Sequence, residues 1–340
     1  MVLVLDEREV RELLDVRACI EAVEAAFHAR GSGSRAASAI TGVALDDGKL
    51  HAKLATLNRA RHYAVAKLNA NVPANPTTRG LPAIQGVVLL FDAGSGTPLA
   101  AMDSGSLTAM RTAAATAVAA KWLALPQSSS FAVIGCGLQA RAHVPTLLSV
   151  LPLKHLNAFD VNRAAADSFC ADMSSAHGIE CHVAPSLRAA TRLAQIVVTL
   201  TPSRSPIIDT GDVGPGTFIA AVGADSENKH EIDVDLLRSA TIVVDDLDQC
   251  ATIGDLHHAI RARVLSATDV RASLDQIVTG QVRGRTNDQE IIVFDSTGVA
   301  IEDAAAAAIV YEKAERSGMG VRVEINGPPA SAQLSGQSSN

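Results

Sequence analysis

Aromatic residues are scarce. Trp, Tyr and Phe together make up 3% of the chain, so any core must be filled by Ala, Val, Leu and Ile, the usual filling of an α/β protein. Basic charge is not in excess either. Lys and Arg number 29 against 36 Asp and Glu, a net charge of −7. That balance argues against a nucleic-acid or anionic-membrane partner, which would need a concentrated basic stripe. No apolar run reaches the ~18–20 residues of a membrane span. The start, Met1 to Arg8, lacks the basic segment and small-residue cleavage site of a signal peptide. The five cysteines, Cys19, Cys136, Cys170, Cys181 and Cys250, are odd in number and widely spaced. They predict small buried thiols in a reducing cytoplasm, with no disulfide framework and no zinc site. The histidines contain no HExxH, and the adjacent pair His257-His258 diverges on a helix, so no metal is expected. What is abundant is apolar material: 48% of residues are hydrophobic and 19% charged, which excludes a disordered or fibrous chain. The 340 residues suggest two domains.

The hydrophobic rhythm changes twice along the chain. Val16, Ile20, Val23 and Phe27 recur at helical spacing, so residues 5–30 read as a helix, broken by Gly31-Ser-Gly-Ser34. From Ser38 to Phe91 short β-type runs follow, among them 50–54, 63–68 and 84–91. Asp92-Ala-Gly-Ser-Gly96 has the composition of a hairpin turn. An Ala-rich helix over 106–125 then ends at Pro126-Gln-Ser-Ser-Ser130. Beyond it, apolar strand candidates at 131–134, 156–159, 179–183, 196–200, 218–222 and 242–244 are mostly separated by helical segments. Such alternation predicts a parallel sheet covered by helices on both faces. A last strand at 291–294 precedes a second Ala-rich helix, 300–316, expected to fold back onto the N-terminal part. The reading is an α/β protein. A Rossmann-type doubly wound parallel sheet occupies 127–299. A discontinuous α+β substrate and dimerisation domain comprises 1–126 and 300–327. A disordered tail spans 328–340.

The sharpest local signal is Phe131-Ala-Val-Ile134 followed by Gly135-Cys136-Gly137-Leu138-Gln139-Ala140. This is a G-x-G-x-x-A directly after a strand and opening a helix. Gly135 permits the tight turn, a side chain at Gly137 would block a pyrophosphate, and Ala140 lets helix and strand pack closely. The helix N-terminus offers free N–H groups and partial positive charge to the phosphates. An acid, Asp160, ends the next strand, where a carboxylate accepts hydrogen bonds from a ribose 2′-OH and repels a 2′-phosphate. That favours NAD(H) over NADP(H). Arg163, three residues on, partly offsets the repulsion and keeps NADP(H) as the alternative cofactor.

Two cations precede the nucleotide segment. Lys67 sits in a β-type run, and Arg111 is the lone charge between Leu107 and Ala120. Lysines on strands and arginines on helices are ordinarily solvated. A single cation among small neutral residues should instead be buried or line a pocket, and a buried cation needs an anion. A guanidinium grips a carboxylate with two parallel hydrogen bonds. The residues alone leave both readings open, with Arg111 the stronger candidate for a substrate clamp.

The segments Lys67-Leu-Asn-Ala-Asn-Val-Pro73-Ala-Asn75, Gly80-Leu-Pro82, Pro98-Leu-Ala100, Leu107-Thr-Ala-Met-Arg111-Thr-Ala-Ala114, Gly135 to Ala140, Gly223-Ala-Asp225, Glu231-Ile-Asp233 and Phe294-Asp-Ser-Thr-Gly298 together resemble the ornithine cyclodeaminase/μ-crystallin family. They follow the family order from about residue 5 to 323. The resemblance implies a homodimer paired through the N-terminal domains and an active site between that domain and a Rossmann domain. It implies that Lys67 and Arg111 hold the substrate carboxylate, with Arg35 as a further carboxylate-binding arginine, and that Asp225 is the catalytic acid/base. Asp225 alone would read as a loop aspartate. By the same resemblance Thr112 and Ala113 match helix-start positions near the cofactor phosphates. Thr201 and Ser203 match the loop after the fourth strand, near the adenosine. Val222 and Gly223 match a cofactor-contacting turn, and Ser296 matches the segment closing over the nicotinamide.

Members of this family share a scaffold and differ in chemistry, which the fold does not decide. Cyclodeaminases must seat a side-chain ammonium, and that branch carries a glutamate on the strand before the lysine. Here the matching stretch, Lys49-Leu-His51-Ala-Lys53-Leu-Ala55, has no acid and three potential cations. Asp225 is the one carboxylate this reading places near the substrate. The expectation is therefore an enzyme that reduces a small cyclic α-imino acid with NAD(P)H, pyrroline-2-carboxylate or piperideine-2-carboxylate. Lys67 or Asp225 would supply or stabilise the proton on the imine nitrogen. The alternatives are an alanine-type amino-acid dehydrogenase, an ornithine cyclodeaminase and, in another class, a non-enzymatic nucleotide-binding protein. Turnover of any imino acid separates the last from the rest.

Overall fold

The computed structural model describes residues 1–34, 38–59 and 61–325. The expectations for Arg35 and for the 328–340 tail fall outside those residues. The chain begins with strand β1 (Val2–Leu5). The single helix expected over 5–30 is two, α1 (Glu7–Leu13) and α2 (Val16–Gly31). Each has its own aspartate cap: Asp6 accepts the Glu9 N–H at 2.9 Å and Asp15 the Ala18 N–H at 2.8 Å. Such caps satisfy backbone donors that a helix start leaves open. Between them Leu14 leaves helical geometry. The apolar spacing holds, with Ile20, Val23 and Phe27 buried, and the two caps divide it.

Strands β2 (Ser38–Leu45), β3 (Gly48–Asn58) and β4 (His62–Asn71) run antiparallel. A one-turn helix, α3 (Asn75–Thr78), leads to β5 (Ile84–Asp92) and β6 (Pro98–Asp103). The β5–β6 hairpin turns where expected, with Asp92 Oδ1 accepting the Gly94 and Ser95 N–H groups at 3.0 and 2.8 Å. Helix α4 (Ser104–Leu123) starts just after Asp103, which caps Gly105 and Ser106.

The second unit alternates strand and helix: β7 (Ser130–Ile134), α5 (Leu138–Leu148), β8 (His155–Phe159), α6 (Arg163–His177), β9 (Glu180–Val183), α7 (Leu187–Thr191) and β10 (Ile196–Thr199). Then come β11 (Arg204–Ile208), β12 (Phe218–Ala221), β13 (His230–Ile232), α8 (Val234–Ser239) and β14 (Thr241–Val244). Helices α9 (Leu247–Ile253) and α10 (Asp255–Arg261), strand β15 (Ala272–Ser273), helix α11 (Leu274–Val278) and strand β16 (Ile292–Asp295) complete it. Eight strands form one parallel sheet in the order β15-β14-β16-β12-β10-β7-β8-β9. Every residue of β10, β12 and β16 is buried, as helices on both faces require. The chain crosses from one side of β7 to the other between β9 and β10, which opens a crevice at the carboxyl ends of those strands.

Helix α12 (Ala300–Ser317) then leaves this sheet and packs on β3, β4, α2 and α4. Its run Ala304–Ala308 is fully buried, the short side chains allowing close approach. Strand β17 (Val321–Val323) pairs antiparallel with β1. The first sheet is thus β17-β1-β6-β5-β4-β3-β2, built from both ends of the chain.

One expectation about cysteine fails. Cys170 on α6 and Cys181 on β9 form a disulfide, while Cys19, Cys136 and Cys250 are free and buried. Wide spacing in sequence concealed the pair because α6 turns back at Gly178, in left-handed geometry (φ 65°), straight into β9.

Candidate active site

The fingerprint turn lies between β7 and α5. Gly135 has φ +94°, and a Cβ there would meet the Leu200 carbonyl at 2.9 Å, so only glycine suits both its conformation and its space. Gly137 differs. Its φ of −83° suits any residue, and a Cβ built on it meets nothing within 4 Å. Neither backbone nor neighbouring protein atoms call for glycine here, and the open volume sits at the N-terminus of α5, which no side chain caps. Gln139 Oε1 is buried without a partner among the described residues. Ala140 is fully buried against the sheet. A dinucleotide pyrophosphate fits this cradle. Asp160 at the end of β8 ties it together: Oδ2 accepts the Cys136 N–H and Oδ1 the Asn162 N–H, both at 2.8 Å. Leu138 and Val161 beside it are 66% and 96% exposed. Arg163 makes an exposed ion pair with Asp167, one turn along α6, at 3.0 Å.

The carboxyl-end loops supply the far side. Thr201 follows β10, its N–H and hydroxyl both donating to Glu231 Oε1 at 2.7 Å. Ser203 turns its hydroxyl to the Ser205 carbonyl at 2.6 Å. Val222 and Gly223 follow β12, and Ser296 follows β16. Asp245 holds that last loop, accepting the Gly298 N–H at 2.6 Å and the Thr297 hydroxyl at 3.1 Å. Thr112 and Ala113 are not at a helix start. They lie buried in the middle of α4, because the Asp103 cap begins that helix eight residues before Thr112.

Lys67 and Arg111 come together against α12. Lys67 Nζ donates to Asp303 Oδ1 at 2.9 Å, Arg111 Nη1 donates to Glu302 Oε2 at 2.6 Å, and Arg111 Nε lies 2.8 Å from Asp303 Oδ1. The two cations are 4% exposed at their side chains and the two acids 0%. A third cation joins them: Lys53 stands directly opposite Lys67 across β3–β4 and donates to the Thr297 and Gly298 carbonyls at 3.1 and 2.6 Å. Gly298 (φ +76°) lets the Arg111 guanidinium lie against the same turn, since a Cβ there would meet Arg111 Nη1 at 2.5 Å. Burial, joined by the charge of Arg111, pushes the Lys67 ammonium down to about 7 against the pull of Asp303. Burial would lower Arg111 too, but Asp303 and Glu302 raise it above its ordinary value. Burial would raise Asp303, and Arg111, Lys67 and Lys53 together hold it below.

Asp225 faces this cluster from the β12 loop, its side chain 47% exposed and ion-paired with Lys229 at 2.6 Å. Burial of its surroundings acts to raise it, but Lys229 outweighs that, with Lys53 and His51 adding to the effect, and the carboxyl lies below its usual range. The structure therefore gathers Lys67, Arg111 and Asp225 at one junction, with Gly135, Gly137 and Thr201 along the adjoining loops.

The sequence reading missed Lys53 as a site residue and missed Glu302 and Asp303 altogether. Asp225 is not the lone carboxylate near the substrate position. The signal for the pair was present: Glu302 and Asp303 are the sole charges between Val299 and Tyr311, the same anomaly that singled out Arg111.

The sequence profile of the ornithine cyclodeaminase/mu-crystallin family matches residues 2–318. An alanine dehydrogenase from Archaeoglobus fulgidus is 37% identical over 95% of this chain and 98% of its own length. The structure of an archaeal alanine dehydrogenase dimer with bound NAD superposes with a TM-score of 0.91 at 37% identity, covering 96% of this chain and 99% of that one. The Thermococcus litoralis Delta(1)-pyrroline-2-carboxylate reductase, in complex with NADH and L-proline, also gives 0.91 at 32% identity, over 95% and 100% of the two chains. The chain belongs to the ornithine cyclodeaminase/mu-crystallin family.

Proposed function

We propose that this member of the family is an NAD(H)-dependent oxidoreductase that reduces the C=N bond of a small α-imino carboxylate to the L-amino acid. Cyclic pyrroline-2-carboxylate and piperideine-2-carboxylate are the leading substrates. One observation carries the reading: at the junction Lys67 and Arg111 are held by the buried carboxylates Glu302 and Asp303, and Lys53 joins them across the β3–β4 pair. Buried Asp245 also acts on Arg111, so what the junction offers a substrate carboxylate is directed donors rather than surplus charge. Lys67 uses one of its three N–H donors on Asp303 and keeps two for a ligand. NADH supplies the hydride. Gly137, the α5 N-terminus, Asp160 and Thr201 would hold it, and Asp160 favours it over NADPH.

The proton follows from the acidities. Asp225, held below its usual range, stays ionised at neutral pH, so its part is to stabilise a positively charged imine nitrogen. Lys67, brought to about 7, is the better donor, because a general acid works best with a pKa near the ambient pH. The alanine dehydrogenase relatives favour an acyclic version of the same step, reductive amination of an α-keto acid. A homodimer through the first sheet belongs to the proposal as well. Strand β2 is an edge with every residue exposed, and Ile40 and Val43 on it and Leu54 on the adjoining β3 present apolar side chains, which invites a second copy.

The test follows NADH oxidation against cyclic imino acids and against pyruvate with ammonia or methylamine, and separately offers L-ornithine with NAD⁺. Imine reduction with no proline from ornithine is expected, since Glu302 and Asp303 are already paired and an unpaired substrate ammonium would be costly to desolvate. Proline formation at a rate comparable to imine reduction overturns the reading in favour of a cyclodeaminase.

A further inference from the structure

Beneath the carboxyl-end loops lies a set of acids that neither substrate clamp nor nucleotide fingerprint uses. Glu231, on β13, is fully buried. Its partners are backbone N–H groups and hydroxyls. Oε1 accepts the Thr201 N–H and Oγ1, both at 2.7 Å, and Oε2 accepts the Thr199 Oγ1 at 2.7 Å and the Gly223 N–H at 2.8 Å. Three of the four bonds go to the turns that leave β10 and β12, and the fourth goes to Thr199, the last residue of β10. Gly223 is pressed onto this carboxylate: a Cβ there would stand 2.5 Å from Oε1 and 2.3 Å from the Thr201 carbonyl oxygen. Asp225, which faces the substrate cluster, is two residues further on.

Glu231 is itself anchored from below. Asp255 Oδ1 accepts the N–H groups of Glu231 and Ile232 at 2.8 and 3.0 Å. Asp295 at the end of β16 takes the Leu256 N–H at 2.8 Å, and Ser296 follows it directly. One carboxylate therefore joins two loops of separate duty, and a second layer ties the mount to the third loop. Burial pushes the Glu231 carboxyl above its usual range while the Thr201, Thr199 and Gly223 donors pull it back, and second-layer partners of this kind fix the geometry of the groups that touch a ligand.

We propose that Glu231 is a positioning residue that sets the Thr201 loop, where the nucleotide would lie, and the Gly223–Asp225 loop, where the imine nitrogen would lie, at one fixed spacing. The role of the Asp225 loop rests on the imine-reductase reading; the NADH measurement below does not.

The experiment uses the full chain and reads NADH binding by fluorescence in the absence of any imine, then kcat and KM where turnover exists. Glu231→Gln keeps the size but replaces one double acceptor with an NH₂ that meets N–H and O–H donors. Expected are a weakening of NADH binding by ~10-fold or more and a fall in kcat at saturating NADH. A purely structural role would lower the melting temperature and leave the NADH Kd and kcat of the folded enzyme unchanged, and that result overturns the proposal. Thr201→Val removes one of the four bonds, so Glu231→Gln must cost less in the Thr201→Val background than in the parent. Strictly additive effects on the NADH Kd also overturn it. If Glu231→Gln does not fold, Thr199→Val decides. Thr199 is fully buried below the loop, and its hydroxyl donates to Glu231 Oε2, so Thr199→Val leaves its backbone links in place and removes that bond. A ~3-fold or larger rise in NADH Kd supports the proposal, and an unchanged Kd sinks it. If no imine is turned over, the functional reading fails while NADH binding still tests the positioning role.

Discussion

The two walls of the site are built by opposite means. On the nucleotide wall the working groups are backbone: the open face of Gly137, the uncapped N–H groups of α5, and turns held by a single buried acid, Glu231. On the substrate wall they are charged side chains, Lys53, Lys67 and Arg111, immobilised by Glu302 and Asp303. A phosphate is bound well by many weak, fixed dipoles. A small carboxylate with little else to grip needs strong, directional charge. Breaking each wall should therefore leave different traces.

The largest effect belongs to the substrate wall. Arg111→Lys keeps the charge but not the fork that spans Glu302 and Asp303. A loss of roughly 10²-fold or more in kcat/KM, ~3 kcal/mol of positioning, is expected with NADH binding intact. A tenfold or smaller loss in the folded variant would remove Arg111 as the clamp.

Two glycines sharpen the contrast. Gly137→Val has no backbone strain and no protein neighbour to hit, so its melting temperature should hold. NADH binding should weaken roughly 10- to 100-fold, from ~1–3 kcal/mol of overpacking against the nucleotide. Gly298→Ala should do the reverse, losing stability and substrate binding because its methyl enters the space of Arg111. Calorimetry and NADH titration on both variants check this. A Gly137→Val protein that binds NADH normally would show that the cradle lies elsewhere.

How much of each wall the sequence revealed follows from the same difference. Backbone sites write themselves into neighbouring residues, since the turn at Gly135, the cap at Gly137 and the helix start are consecutive. The fingerprint and the parallel sheet around it were legible. The substrate wall joins Lys67 to Asp303 and Arg111 to Glu302, partners 236 and 191 residues apart. Nothing local encodes that meeting, so a buried cation was recognised and its anion was assigned wholly to the substrate. The break between α1 and α2 did not show because the apolar spacing runs on across it, and the division comes from the Asp15 cap. The Cys170–Cys181 pair depended on a turn of α6 that spacing alone does not give.

Lys67 makes the substrate wall sensitive to pH. Its ammonium is held at about 7, well below its ordinary value, chiefly by burial. The charged form is therefore present below about 7 and is lost as pH rises through it. Imines titrate too, so the clean probe is a five-membered ring carboxylate with oxygen in place of nitrogen. Its affinity for the NADH-bound enzyme should fall several-fold between neutral and mildly alkaline pH, while NADH affinity stays level. In the oxidative direction the neutral amine is the useful form, so that rate should rise over the same range. An affinity for the ring carboxylate that is flat with pH would show that Lys67 does not carry the charge that holds the substrate.

The smallest effect is on cofactor choice, and it lies on the nucleotide wall. Asp160 uses one lone pair of each oxygen on Cys136 and Asn162, leaving acceptor capacity for a ribose hydroxyl. Its negative charge should also repel a 2′-phosphate. Arg163, the cation the sequence offered to offset this, pairs on the surface with Asp167, a weak exposed contact that only partly withdraws it. Wild-type kcat/KM should be higher with NADH than with NADPH. Asp160→Ala loosens the Cys136 turn and loses the ribose contact, so activity with NADH should drop, whereas NADPH loses a repulsion at the same time. The ratio of the two should therefore move toward NADPH by a factor of about 3 to 10, the size of a partly exposed charge interaction. Steady-state kinetics with both cofactors measure it. A wild-type preference for NADPH, or a ratio unchanged in Asp160→Ala, would mean that Asp160 only braces the fingerprint turn and does not read the ribose.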